Sequence, residues 1–251
     1  MEQTTITKKA REVGTSAGVL LPRSWLNRQV VVTLFEPSRE KILHEVMSCL
    51  LDNGLNEEAK GIYLFGSYAR GDYDTGSDID VLVLTENVNK IINRENYEIL
   101  LVSESSFSKN LPNSLNYLSI LKEAKVILNK GLIEKYRAKK RKPNAKGLLP
   151  EIWKVLRINK EAVETCKEHG MNVPDGIAYS LVLRLRELYI IKYLLSGKAY
   201  HKEDFLKIAG EKAYSAYLRV KRNNKEMNVL SADELKSILE LSEKWLKELK
   251  G

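Results

Sequence analysis

Apolar and polar positions follow three successive rhythms along this chain. Up to about Glu36 the apolar runs are short and strand-like. Thr4–Val13 alternates in part, Gly14–Gly18 reads as a turn, and Val19-Leu20-Leu21 is a brief apolar strand. Pro22–Leu26 reads as a turn or short helix, and the β-branched run Gln29–Phe35 predicts a further strand. From Pro37 helix and strand alternate. Ile42, Leu43, Val46, Met47, Leu50 and Leu51 fall at helical spacing behind the start signal Pro37-Ser38-Arg39-Glu40, and Gly54 ends that helix. Gly61–Phe65, Ile79–Leu84, Tyr97–Val102 and Lys125–Leu128 read as strands and Leu115–Ala124 as a helix, while Gly66–Ser77 reads as a polar loop and Asn93–Asn96 as a polar stretch. Beyond Gly147 the spacing is helical: Glu151–His169, Ile177–Leu195, Lys202–Gly210, Lys212–Arg222 and Ser231–Lys250. The last of these opens on the capping-box pattern Ser231-Ala232-Asp233-Glu234.

These rhythms predict an α+β protein in four stretches: a β segment over 1–36, a small mixed β-sheet domain over 37–133, a basic linker over 134–149 and a helical bundle over 150–251. A β segment of 36 residues buries little core alone, so it is expected to pack on its neighbour or to pair with a second copy, giving a homodimer. No apolar run approaches the roughly 20 residues of a bilayer span, and the amino terminus lacks the basic-then-apolar form of a secretory signal. Cys49 and Cys166 stand alone and read as buried thiols of a reducing compartment, so a cytoplasmic protein is expected.

Charge refines this picture. Residues 1–36 carry five basic and three acidic side chains, 37–133 carry ten and fourteen, and 134–251 carry twenty-six and sixteen. An acidic middle suits bound metal ions, and a basic remainder suits a polyanion such as RNA or DNA.

The candidate chemistry lies in the middle stretch. An apolar strand, Ile62–Phe65, runs into Gly66-Ser67, a glycine-containing loop follows, and a second strand opens on Asp78-Ile79-Asp80. Two aspartates one residue apart on a strand project from the same side. They repel one another unless a cation lies between them, and hard oxygen ligands suit magnesium. Gly66 permits close backbone approach, and Ser67 offers an amide and a hydroxyl to a phosphate. Metal ions that neutralise a triphosphate while a positioned hydroxyl attacks in line are the parts of phosphoryl or nucleotidyl transfer.

The stretch GSYARGDYDTGSDIDVLV (residues 66–83) is similar to the Gly-Ser…Asp-x-Asp signature of the DNA polymerase β-like nucleotidyltransferases, in their small stand-alone form. The resemblance covers residues 38–131. It implies a small mixed sheet, a magnesium-bound nucleoside triphosphate (ATP above all) as donor, Gly66 and Ser67 on the β- and γ-phosphates, and Asp78 and Asp80 on the metals. Arg70 and Ser77 fall at motif positions suited to phosphate contact or loop support. The family's third carboxylate, both base and metal ligand, is matched by Glu98 inside the strand Tyr97–Val102, although aspartate is commoner there. Glu104 beyond the strand is a poorer match, and Asp72 and Asp74 read as solvated loop residues.

The flanks are less specific. Gly14–Pro22 with Trp25 and Val30-Val31-Val32 resembles the swapped hairpin of AbrB/SpoVT-type proteins, closest to a short archaeal variety. That likeness implies dimerisation, and DNA contact if Lys8, Lys9, Arg11, Arg23 and Arg28 meet phosphates instead of merely solubilising the module. The bundle is loosely similar in size to HEPN domains, but the Arg-x(4–6)-His pattern of their ribonucleases is absent, so no nuclease is expected. Arg184, Arg186 and Glu187 read as an interhelical salt bridge. His44, His169 and His201 are scattered and take no catalytic role. The run Lys135–Lys146 is either a solvated linker or a contact for RNA. A magnesium-dependent nucleotidyltransferase acting on an RNA end, a protein or a small molecule is the leading expectation. A DNA-binding regulator or antitoxin with a nucleotide-sensing transferase domain is the alternative.

Overall fold

The computed structural model describes residues 6, 8, 10–33, 36–74, 76–139, 143–198 and 200–250. At its centre is a five-stranded mixed sheet. The strands are β3 (Ala59–Phe65), β4 (Ile79–Thr85), β5 (Lys90–Arg94), β6 (Tyr97–Ser103) and β7 (Lys125–Leu128), in spatial order β5-β6-β4-β3-β7. The β4–β6 pair is parallel and its neighbours are antiparallel. Alternation along each strand divides the sheet into two apolar faces. On one, Ile62, Leu64, Ile79, Val81, Val83, Ile99 and Leu101 pack on α1 (Arg39–Asp52) through Ile42, Val46, Cys49 and Leu50. On the other, Tyr63, Leu82, Leu84 and Val102 pack on α3 (Glu104–Asn110), α4 (Leu115–Glu123) and α5 (Lys130–Arg137). Between them, α2 (Gly66–Arg70) occupies the start of the stretch expected as a polar loop.

The helical half comprises α6 (Leu148–Glu168), α7 (Asp175–Leu195), α8 (Lys202–Ala209), α9 (Glu211–Lys221) and α10 (Ala232–Lys250). Helix α7 is its axis. Ala178, Leu181, Val182, Leu185, Leu188 and Ile191 recur every three or four residues and are buried against α6, α9 and α10. The capping box before α10 forms as the sequence implied: Ser231 N–H donates to Glu234 Oε2 at 2.9 Å, and Glu234 N–H donates back to Ser231 Oγ at 3.4 Å. Leu194 of α7 reaches the cluster beneath the sheet, so the bundle rests on the α3–α5 side. Among the described residues, no helix is long and apolar enough to cross a membrane. Both cysteines are free and buried.

Several expectations need correction. β5 runs into the polar stretch Asn93–Asn96, and α3 follows the strand Tyr97–Val102 where no element was expected. The basic stretch begins inside α5: Lys135 pairs with Glu104, while Arg137 donates to the carbonyls of Leu121 and Ala124 at 2.8 and 2.5 Å. Lys140, Arg141 and Lys142 lie outside the described residues. In the amino-terminal segment, β1 (Arg11–Val13) and β2 (Ser16–Gly18) form a hairpin turning at Gly14-Thr15, so strand occupies part of the expected turn. Neither Val19–Leu21 nor 29–33 is strand, since among the described residues no strand pairs with them. Residues 4, 5, 7, 9, 34 and 35 of the expected strands lie outside the description. Val31 is 93% exposed and Leu20, Leu26 and Val32 are open as well, so of the two expected arrangements the segment does not take the one that packs these residues on its neighbour.

Glu104 ties the strand β3 side to α5. It receives Lys60 Nζ at 2.7 Å, Lys135 Nζ at 3.1 Å and the Tyr136 hydroxyl at 3.0 Å. The Lys60 hydrogen bond, followed by Lys135, holds its carboxyl down at about 2 against an ordinary 4.5. A depressed carboxylate stabilises the fold above its unfolded value and loses that contribution as pH falls through the folded one. Glu104→Gln is therefore expected to cost about 1–2 kcal/mol at neutral pH, after allowance for the partly exposed lysines. Its urea-denaturation stability should converge with wild type as pH drops from about 4.5 towards 2. An equal deficit at both ends of that window would refute the assignment.

Candidate active site

Strand β3 ends at Phe65, and the chain turns at Gly66 with φ +71°, a left-handed conformation that glycine adopts without penalty. A second constraint acts on the same residue. A Cβ there would stand 1.9 Å from Asp80 Oδ2. The contact follows from register, because Phe65 lies opposite Asp80 across the β3–β4 pair. Gly66→Ala thus combines backbone strain with a clash against the carboxylate. The expected result is a loss of about 1–3 kcal/mol of stability, together with a large drop in any activity that uses Asp80. Wild-type melting and wild-type labelling by this variant would contradict the geometry.

Asp80 also lies opposite Glu98 in the parallel β4–β6 register. Both therefore project from the sheet face that carries Leu82, Leu84 and Val102, and Asp78 precedes β4 with the same parity. Asp80 is half-buried, whereas Asp78 and Glu98 are exposed. Burial first, then the charges of Glu98 and Asp78, push the Asp80 carboxyl up to about 7, while Lys221 and Arg70 pull the other way. A carboxylate so burdened by like charge is relieved by a divalent cation, and three hard-oxygen donors on adjoining strands suit magnesium. Among the described residues, no three acidic, histidine or cysteine side chains are already gathered tightly enough to enclose an ion.

The motif's other residues are differently employed. Ser67 is half-buried, and its carbonyl accepts the N–H groups of Gly71 and Asp72, closing α2. Ser77 supports the loop: its hydroxyl accepts from Asp74 N–H at 2.9 Å and donates to Asp74 Oδ1 at 3.2 Å. Arg70 is held by Asp72 Oδ2 at 3.1 Å and Glu123 Oε2 at 2.8 Å, and its guanidinium lies over the Tyr200 ring. Asp72 is therefore not a solvated loop residue, whereas Asp74 is paired yet stays partly exposed. Asp74 accepts Arg222 Nη2 at 3.0 Å and Lys202 Nζ at 3.5 Å from the helical half.

Glu123 was missed by sequence reasoning. Its second oxygen accepts Gly66 N–H at 3.0 Å, so one nearly buried carboxylate ties the Gly-Ser turn and Arg70 to α4. The available signal was an acidic side chain in the last turn of a helix, where the helix dipole disfavours it. The expected interhelical salt bridge also differs. Arg184 pairs with Glu187 within α7 at 2.8 Å, whereas Arg186 lies over Tyr200 beside the Tyr217 hydroxyl. A cleft of about 390 Å³ lined by Arg70, Asp72, Glu123, Tyr200 and Lys202 flanks the site, and none of Asp78, Asp80 and Glu98 lies on its wall. The carboxylates sit on an open shelf beside it.

Comparison with known proteins matches residues 48–152 to the nucleotidyltransferase domain family. Over that stretch the chain is similar to nucleotidyltransferase domains. A chain named "Putative protein adenylyltransferase MJ0141", from Methanocaldococcus jannaschii, is 53% identical over 34 residues, which is 14% of this chain. The match spans about a third of that relative's length (34%). A nucleotidyltransferase-like protein from Exiguobacterium sibiricum aligns over 82% of this chain and 75% of its own, at 15% identity and a TM-score of 0.35. That likeness is too loose to build on. The matched stretch contains Gly66, Asp78, Asp80, Glu98 and Glu123. The resemblance of the amino-terminal segment to AbrB/SpoVT hairpins gains no support, since 29–33 is not strand.

Proposed function

We propose that this protein is a magnesium-dependent nucleotidyltransferase that moves the adenylyl group of ATP onto a hydroxyl of a protein acceptor. The observation that carries the reading is the register that sets Asp80 beside Glu98 on one strand and against the Gly66 turn on the other. The nucleotidyltransferase domain supports transfer of a nucleoside monophosphate in general, and the name of the archaeal relative favours a protein over RNA or a small molecule.

Asp78, Asp80 and Glu98 would hold the magnesium, which when bound neutralises charge on the triphosphate and on the departing pyrophosphate. Gly66 and Ser67 orient the phosphates, with Glu123 fixing the turn through Gly66 N–H. The acceptor hydroxyl oxygen bonds to the α-phosphorus, and the bond from that phosphorus to the bridging oxygen of the β-phosphate breaks. Pyrophosphate leaves with that oxygen, and Glu98 accepts the hydroxyl proton before releasing it to water. Arg70 keeps the loop in shape through Asp72 and Glu123, while Ser77 braces the approach to Asp78. The exposed apolar residues of the amino-terminal segment favour pairing of two copies in a cytoplasmic homodimer.

The acceptor is tested by incubating the protein with α-phosphate-labelled ATP, magnesium and a cell extract. Label that survives ribonuclease and disappears on proteolysis supports the protein acceptor. Label removed by ribonuclease alone would replace it with RNA.

A further inference from the structure

The acidic shelf and the polyphosphate it is proposed to receive are both anionic, so the site needs cations beyond bound metal. Its local cations are largely committed. Arg70 is consumed by Glu123 and Asp72, and Lys202 and Arg222 are drawn to Asp74. Lys221 differs. It ends α9, is exposed, and has no salt-bridge partner among the described residues. Its neighbour Arg222 is anchored on the loop that leads into Asp78. The guanidinium donates to Asp74 Oδ1 at 3.0 Å and lies 3.3 Å from where a Cβ on Gly76 would be. Lys202 braces the same loop from α8, donating to the Asp72 carbonyl at 3.0 Å. The end of α9 is thereby docked against the loop that leads into the carboxylate shelf, about 140 residues away in sequence from Asp80.

From this docking we infer that Lys221, in the helical half of the chain, binds the polyphosphate of the nucleotide beside the shelf of Asp78, Asp80 and Glu98. The inference rests on the nucleotidyltransferase reading and extends it to a residue outside the matched domain. Lys221 and Arg70 are cations whose charge acts on Asp80, Lys221 the more strongly, which agrees with its nearness to the shelf. A lysine in the last turn of a helix is also favoured by the helix dipole alone. That ordinary role affects stability and leaves nucleotide preference untouched, so the two are separable. An ammonium on a flexible stem suits a polyphosphate, whose charge is spread over many oxygens.

The test is equilibrium binding of a non-hydrolysable ATP analogue and of AMP, each with magnesium, to the full chain. Lys221→Ala should weaken the analogue by about tenfold, the scale of one charge-assisted contact. It should leave AMP affinity and the melting temperature within error, and Lys221→Arg should restore most of the loss. Equal weakening of analogue and AMP, or none of either, would overturn the inference while leaving the transferase reading in place. Failure of the wild-type chain to bind the analogue at all would remove both.

Discussion

Asp80→Ala should abolish nucleotide transfer, lowering the labelling rate by about a thousandfold or more, the scale at which one charge-stabilising part of a phosphoryl-transfer centre matters. The variant should nevertheless fold. Asp80 is half-buried beside Glu98 and Asp78, and its carboxyl is raised to about 7. An acid raised in the folded state makes stability fall as pH climbs from its unfolded value to the folded one. The metal-free native protein is thus penalised at and above neutral pH for keeping this carboxylate. Asp80→Ala, and more cleanly Asp80→Asn, should melt at or above the wild-type temperature in chelator at pH 8 while losing activity. A variant that is inactive because it melts early would mean that Asp80 holds the fold together.

The opposite combination is expected at Asp175, where stability and not chemistry is at stake. Its carboxylate is fully buried at the start of α7 and receives Arg219 through both oxygens, at 2.6 and 2.9 Å. It also accepts Met227 N–H at 3.0 Å, and its own N–H donates to Asn228 Oδ1 at 2.8 Å. The Arg219 hydrogen bond above all holds its pKa below the ordinary carboxylate value. Removing the carboxylate strands a largely buried guanidinium and a backbone donor. Asp175→Ala should therefore cost about 3–5 kcal/mol in urea denaturation at neutral pH. Because the folded pKa is the lower one, the wild-type advantage is complete above the unfolded value of 3.8 and fades as pH falls through the folded value. A loss under about 1 kcal/mol would show the pair to be dispensable.

What the sequence disclosed was what short-range geometry determines. Gly66-Ser67 and Asp78-x-Asp80 were legible because a strand, a turn and a period-two strand start determine which way those side chains project. Glu98 could be picked out as a charge in an apolar strand, and its pairing opposite Asp80 needed only parallel register. Helices α6, α7 and α10 were visible from sustained apolar spacing.

The elements that were missed lack such signals. β5 is the edge strand Lys-Ile-Ile-Asn-Arg, mostly exposed, and is held by pairing with β6 more than by burial. α3 buries Phe107 alone and begins at Ser103, whose hydroxyl accepts Ser106 N–H. The β-branched run before Leu34 shows the reverse error: strand propensity without a partner strand gives no sheet. Contacts made at long range were invisible altogether. Glu123 reaches Gly66 across 57 residues, and Arg222 reaches Asp74 across 148. No local pattern marks either.

The central claim is that this site transfers a nucleotidyl group and not a phosphoryl group. It is tested most directly by parallel incubations of the full chain and its acceptor with magnesium and ATP labelled on either the α- or the γ-phosphate. The expected result is acceptor labelling from the α-position, none from the γ-position, stoichiometric release of pyrophosphate, and loss of the signal in Asp80→Ala. Labelling from the γ-phosphate, or α-labelling that persists in Asp80→Ala, would contradict it.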